Sequence, residues 1–223
     1  MRKSSSPNIL VTGGAGYIGN CLLQVLSSNS KRTVVSIDTR EKRKSRRGST
    51  IFVRGNIRER ELLHTIFKKY HIDVVIHLAG YINVAESMRK PDKYFDNNVV
   101  AGLRLLEAMK MSGVRKIIYA SSAAVYGIPT TRRIKEEHQR RPINVYGMAK
   151  SVFEDLIRYY HDTHGFSCVI FRYFNVAGAD VEHQGREDHR PETHFIPLAL
   201  RSLLQHKPTT IYGGDYDTLD GTS

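Results

Sequence analysis

The sequence predicts an α/β fold, a doubly wound parallel sheet with helices on both faces, and three observations lead there. Short apolar runs alternate with amphipathic stretches along most of the chain. The first apolar run ends in a glycine-rich turn that opens a helix, and the second ends in an acid, Asp38. Strand, turn, helix, strand, acid is the order in which such a sheet is wound.

The first run, Ile9-Leu10-Val11, passes through Thr12-Gly13-Gly14-Ala15-Gly16 into an apolar-periodic segment that starts near Tyr17. Gly14-x-Gly16-x-x-Gly19 fits the dinucleotide-binding fingerprint, and Gly13-x-x-Gly16-x-x-Gly19 fits its variant with one more residue between the first two glycines. A side chain in this turn would block a pyrophosphate, and the last glycine lets helix and strand pack closely. The helix N-terminus then offers unpaired N–H groups to phosphate. The second run, Thr33 to Ile37, brings Asp38 to the offset at which an acid accepts hydrogen bonds from ribose hydroxyls.

Further strands are expected at Ile51-Phe52-Val53, Asp73 to Leu78, Lys116 to Ala120 and Cys168 to Phe171. Helices are expected at 58–70, 94–111 and 144–164, and right-handed crossovers between strands put ligands at the strands' carboxyl ends. Residues 1–172 read as one Rossmann-like nucleotide-binding domain. From residue 173 the chain reads as a second portion of different character. Within it, 178–193 is polar and unpatterned, 195–204 looks helical, and 209–212 reads as a short strand.

With 223 residues, 40% hydrophobic and 25% charged, the chain has the composition of a folded globular protein. No apolar run reaches membrane-spanning length and the first seven residues contain no leader-like apolar stretch, so no membrane association and a cytoplasmic location are expected. Cys21 and Cys168 have no metal-ligand spacing and read as small buried hydrophobes rather than a disulfide, and no metal site is expected. The net charge of +12 owes +5 to residues 40–47, which hold six basic side chains and Glu41. A solvated loop fits that run better than a contact for a 2′-phosphate, which Asp38 would repel, and nucleic-acid binding is not expected.

Tyr146 and Lys150 lie four residues apart in a predicted helix, and of the twelve tyrosines only Tyr146 has a lysine at that spacing. The pair carries weight because the fifth strand runs into Ser121-Ser122, placing hydroxyls at a carboxyl edge. Either serine could equally cap a helix or satisfy a loop.

Taken in order, the glycine turn, Ser122, Tyr146-x-x-x-Lys150 and Arg172-Tyr173-Phe174-Asn175-Val176-Ala177-Gly178-Ala179 resemble the extended short-chain dehydrogenase/reductase family. Within it the chain is similar to the bacterial UDP-glucose 4-epimerase group, through residues 189–197, Tyr212-Gly213-Gly214-Asp215-Tyr216 and Asp220-Gly221-Thr222. Ser122-Ala123-Ala124 stands where related dehydratases carry Thr-Asp-Glu, so the pair that eliminates water is missing.

The resemblance implies an NAD-dependent isomerase that interconverts UDP-glucose and UDP-galactose, as in galactose metabolism, through a 4-keto sugar, with Ser122, Tyr146 and Lys150 as catalytic residues. It implies a cofactor site lined by Gly13, Gly16, Tyr17, Ile18, Gly19, Asp38, Asn56, Ile57, Leu78, Ala79, Gly80, Asn98 and Phe174. Asn175, His194, Phe195 and Tyr212 would approach a UDP-sugar. A homodimer paired through the helices at 94–111 and 144–164 is also implied.

Asn56 stands where the family usually has an aspartate, and Ile82 where some members have a lysine. Family members continue past the Asp-Gly-Thr segment with an arginine for the UDP diphosphate and the residue that decides on N-acetylated sugars. The resemblance therefore implies that residues 173–223 are the start of a substrate-binding portion, incomplete as it stands, and that the 223 residues bind NAD and epimerise poorly. The other readings are a 4-epimerase for UDP-N-acetylhexosamines or UDP-pentoses, and a non-catalytic NAD-binding or basic nucleic-acid-binding protein.

Overall fold

A computed structural model describes residues 6–27, 32–40, 50–131, 133–179, 192, 194–211, 213–216, 218–219 and 221. In it the first apolar run forms strand β1 (Ile9–Thr12), and the segment after the glycine turn forms helix α1 (Tyr17–Ser27). Strands β2 (Val34–Asp38) and β3 (Ile51–Arg54) lead to helix α2 (Arg60–Tyr70) and strand β4 (Val74–His77). Two short helices follow, α3 (Val84–Arg89) and α4 (Pro91–Phe95), then a π-helical turn (Asp96–Val100) and α5 (Ala101–Met111). Strand β5 (Lys116–Ser122), a 3₁₀ turn (Ala123–Val125), α6 (Val145–His164) and β6 (Ser167–Tyr173) complete the sheet.

The strands lie in the order β3-β2-β1-β4-β5-β6, and every neighbouring pair is parallel. Chain order reverses between β1 and β4, the place where such a sheet opens a crevice at its carboxyl ends. The doubly wound parallel sheet expected from the sequence is the fold observed.

Why β1 sits at the centre is visible in its side chains. Ile9 and Val11 face the cluster completed by α1, whereas Leu10 faces the larger core built from α2, α5 and α6. A strand buried on both faces must be apolar at every position, and burying each such side chain stabilises by about 1.5–3 kcal/mol. The edge strand β6 differs: Cys168 and Ile170 pack on the large core, while Val169 and Phe171 remain about half exposed. Cys21 and Cys168 are half-buried and not joined in a disulfide, less enclosed than the composition suggested.

Capping residues set the helix ends. Asn144 Oδ1 accepts from the Gly147 N–H at 2.7 Å to start α6, and Gly165 ends it in the left-handed region. Asn83 starts α3 by accepting from the Glu86 N–H at 2.8 Å. The predicted helix over 94–111 is in fact three pieces, because Pro91 begins a helical turn and the π turn interrupts it at 96–100. A π turn packs one extra residue into the helix and pushes a side chain inward, here Asn98.

The chain divides into two compact units, Met1–Val176 and Ala177–Ser223. The second contains α7 (Phe195–Leu204), at the place the periodicity predicts. Thr209 to Ile211 form no strand, since no neighbouring strand pairs with them among the described residues. Tyr212 lies outside the described residues, as do 41–47 of the basic run. No described helix is long and apolar enough to cross a membrane.

Candidate active site

The carboxyl ends of β1, β2, β4, β5 and β6 carry most of the residues that the sequence singled out. Gly13 follows β1 with φ of 78°, and its amide donates to the Ile37 carbonyl of β2. A Cβ built on Gly13 would lie 2.7 Å from the Ala79 amide nitrogen, so the glycine turn and the segment after β4 touch backbone to backbone. A Cβ on Gly19 would lie 2.3 Å from the Gly13 carbonyl oxygen, so α1 sits hard against the turn. These contacts leave a surface of bare backbone over the N-terminus of α1, which suits a pyrophosphate.

Asp38 is buried at the end of β2. One of its oxygens accepts from Ala15 N–H and the other from Arg40 N–H, both at 2.9 Å, so it ties the glycine turn to the second strand. Arg40 is the described part of the basic run, and its guanidinium comes within 3.3 Å of where a Cβ on Gly16 would be. Tyr17 and Ile18, at the start of α1, are half-buried.

Thr12 and His77 close the turn from below. The Thr12 hydroxyl sits 2.7 Å from His77 Nδ1 and accepts from Ala79 N–H at 3.3 Å, so it donates its own proton to an unprotonated Nδ1. Burial, with the charge of Lys150 second, pushes His77 down to about 3. The folded value lies below the unfolded one near 6.5, so this neutral imidazole stabilises the fold fully above pH 6.5. That stabilisation is lost as pH falls toward about 3. His77→Asn is therefore expected to flatten the acid side of a plot of unfolding free energy against pH, a side whose slope approaches about 1.4 kcal/mol per pH unit for one such group.

Beyond Ala79 the line continues to Lys150 and Tyr146. A Cβ on Gly80 would lie 3.3 Å from Asn98 Oδ1 and 3.7 Å from Lys150 Nζ. Asn98 is buried and holds the Tyr81 backbone at both ends, accepting from its N–H at 2.8 Å and donating to its carbonyl at 2.9 Å. Lys150, also buried, donates to the Ala120 carbonyl at 2.7 Å and lies 5.8 Å from the centre of the Tyr146 ring. Burial brings its ammonium down to about 8, opposed by the charge of Glu154.

Burial pushes the Tyr146 phenol up and Ser122 pulls it down, with burial the larger effect. The Ser122 hydroxyl also accepts from Ala124 N–H at 3.2 Å and so caps the 3₁₀ turn. Capping and contact with the phenol are compatible, because the hydroxyl accepts in one and has a proton left for the other.

Several expected cofactor residues offer less than their side chains suggest. Ile57 is buried in the large core, so only its backbone faces outward chemistry. The Asn56 side-chain Oδ1 accepts from Arg58 N–H at 3.0 Å and shapes the entry to α2. Leu78 is half-buried and donates its N–H to the Thr12 carbonyl at 3.1 Å. Phe174 and Asn175 are exposed just past β6. His194 and Phe195 belong to the second unit, where His194 Nδ1 meets Glu192 Oε1 at 2.8 Å.

The composition of the site matches a known family. Residues 9–223 match the model of the NAD dependent epimerase/dehydratase family. The chain belongs to that family. Among its relatives, the UDP-glucose 4-epimerase of Streptococcus mutans is 42% identical over 219 residues, covering 96% of this chain and 66% of its own length. The chain thus spans just under two thirds of that relative. The crystal structure of UDP-glucose 4-epimerase from Brucella ovis in complex with NAD superposes with a TM-score of 0.86 at 35% identity, over 97% of this chain and 67% of that one. The Bifidobacterium longum UDP-glucose 4-epimerase, solved with NAD+ and UDP, gives 0.85 at 34% identity, over 97% and 68%. The backbone cradle between Gly13 and Gly19, with Asp38 at its side, fits the cofactor in the family's description.

Sequence reasoning missed Glu154, which is fully buried beneath Lys150, and gave no role to Arg172 or His77. The spacing held one signal: Tyr146, Lys150 and Glu154 are successive i, i+4 positions on one helix face.

Proposed function

We propose that this chain carries the NAD site and reactive residues of a UDP-sugar 4-epimerase, with UDP-glucose and UDP-galactose as the interconverted pair. The observation that carries the reading is the unbroken line of Gly13, Ala79, Gly80, Lys150, Tyr146 and Ser122 across the carboxyl ends of β1, β4 and β5. Bound NAD supplies positive charge at its nicotinamide and the means of taking up and returning a hydride. Tyr146 takes the proton of the sugar 4-hydroxyl, and Ser122 hydrogen-bonds the same oxygen. Because burial disfavours the phenolate, the ammonium of Lys150 and the cofactor's charge are what make Tyr146 basic enough. A 4-keto sugar that turns over in the site would take the hydride back at C4 on its opposite face while the same phenol returns the proton to the oxygen.

Family relatives serve as guides to the rest of the reading. Phe174 and Asn175 stand at the end of β6, on the side where a sugar nucleotide would approach the reactive pair. His194, Phe195 and Tyr212 are proposed substrate contacts from the second unit. A homodimer is proposed through the outer faces of α5 and α6, where Met148, Val152 and Tyr159 are exposed apolar or aromatic side chains on the face of α6 opposite the core. Sedimentation at micromolar concentration is expected to give twice the mass of the chain.

The deciding experiment mixes the protein with UDP-galactose and looks for UDP-glucose, with Tyr146→Phe beside it. Conversion by the wild type and none by the variant is the expected result. A wild-type preparation that releases NAD on denaturation and converts UDP-N-acetylgalactosamine, but not UDP-galactose, would move the reading to the N-acetylhexosamine branch.

A further inference from the structure

The mechanism above uses the first two of three side chains stacked along one face of α6. The third, Glu154, is fully buried and is met by polar groups from three directions. Arg172 of β6 approaches it as a two-pronged fork, Nε to Oε1 at 3.0 Å and Nη2 to Oε2 at 2.8 Å. Ser121 of β5 donates to Oε1 at 2.5 Å, and Arg158 of α6 donates to Oε2 at 3.1 Å. Arg140 adds a longer contact at 3.5 Å. Burial pushes the carboxyl up, but the hydrogen bonds from Arg172 and Ser121 and the charges of Arg172 and Arg158 outweigh it and hold it below its usual range.

Stability alone is a weak reason for such a group. Buried ion pairs are often matched or bettered by apolar residues of the same volume, because removing two charges from water costs so much. What an ion pair supplies and an apolar contact does not is a fixed direction. Ser121 and Arg172 are register partners on adjacent strands, and both reach the same carboxylate. The residues on either side of Ser121 belong to the reactive group: Ala120 receives the Lys150 ammonium, and Ser122 meets Tyr146. Three consecutive residues of β5 are thus pinned to three successive turns of α6. The other end of the Arg172 guanidinium donates to the Tyr126 hydroxyl and the Glu136 carbonyl, each at 2.7 Å, tying in the segment after the 3₁₀ turn.

We propose that Glu154 and Arg172 are positioning residues for the Tyr146–Lys150 pair, a buried fork that fixes the rotation of α6 against the ends of β5 and β6. This rests on the reading that Tyr146 and Lys150 carry the chemistry. The fork sets geometry, and its carboxylate also sets the charge on Lys150. The groups that face that ammonium are Tyr119 of β5, His77 of β4, Asn98 of the π turn, and Tyr146 and Glu154 of its own helix. Among them Glu154 is the anion that keeps the ammonium charged against its burial.

The test compares the wild type with Glu154→Gln and with Glu154→Gln/Arg172→Gln, the second also removing the Arg172 charge that the first strands, in case the first fails to fold. Two quantities are followed against pH: the ammonium signal of Lys150 by nitrogen-15 NMR, assigned with Lys150→Met, and kcat for UDP-galactose. The Lys150 midpoint is expected to fall by about one pH unit when the anion goes. The alkaline limb of kcat should move down with it, lowering kcat about fivefold at pH 8 with KM little changed. A Lys150 midpoint and a kcat limb that both stay at the wild-type pH in a folded variant would overturn the proposal. A wild type without turnover would sink the epimerase reading instead, and the Lys150 signal alone would then decide this one.

Discussion

Replacing Tyr146 by phenylalanine is expected to lower conversion of UDP-galactose by about 10²- to 10⁴-fold, the range for losing a positioned proton acceptor. The change removes one oxygen from a half-buried side chain whose ring stays in place, and it leaves Lys150 on the Ala120 carbonyl and Glu154 in its fork. Helix α6 should therefore keep its position. NAD affinity and Tm should stay close to wild type, so that the loss falls on kcat and not on folding or on the cofactor. Steady-state kinetics with a parallel NAD titration separates these outcomes. A phenylalanine variant that turns over within threefold of wild type would show that another group handles the proton.

The same side chains show how far a sequence can be read. The glycine turn, Asp38 and the Tyr146–Lys150 spacing were legible because each depends on local periodicity: a turn, a strand end, one helical step. Asn98 was legible as a position and not as a contact. Its amide is committed to the Tyr81 backbone by a π turn that no hydrophobic pattern signals, since a π turn keeps the helical run going and adds one residue. Helix α3 escaped notice because its six residues are too few for a periodicity to emerge. Nothing local in the sequence marks Glu154 as buried. Its burial depends on Ser121 and Arg172, 33 and 18 residues away in the chain, and on the parallel register that sets those two side by side. Thr209 to Ile211, expected to open a strand, form none among the described residues for the opposite reason, since a β-prone run needs a paired neighbour before it becomes a strand.

Adding one methyl group at Gly19 is expected to cost more in NAD binding than in stability. The new carbon would sit 2.3 Å from the Gly13 carbonyl oxygen and 2.7 Å from Gly14 Cα, and both are backbone atoms that no rotamer change can move aside. Either α1 withdraws from the turn or the turn opens, and such overpacking typically costs about 1–3 kcal/mol of folding stability. Either response misdirects the N–H groups at the helix start. Each charge-assisted hydrogen bond lost to a phosphate is worth about 1.5–3 kcal/mol, so NAD affinity should fall by at least about tenfold, and by hundreds if two are lost. Gly113→Ala provides the comparison. Gly113 has φ of 75° in the turn after α5, and a Cβ there meets nothing within 4 Å, so its alanine variant carries backbone strain without touching the cradle. Calorimetric titration with NAD, beside the Tm of each variant, distinguishes the two. Gly19→Ala should lose affinity out of proportion to its Tm, and Gly113→Ala should lose Tm alone; equal affinities at matched stability would mean that the bare turn is a packing device and not a phosphate cradle.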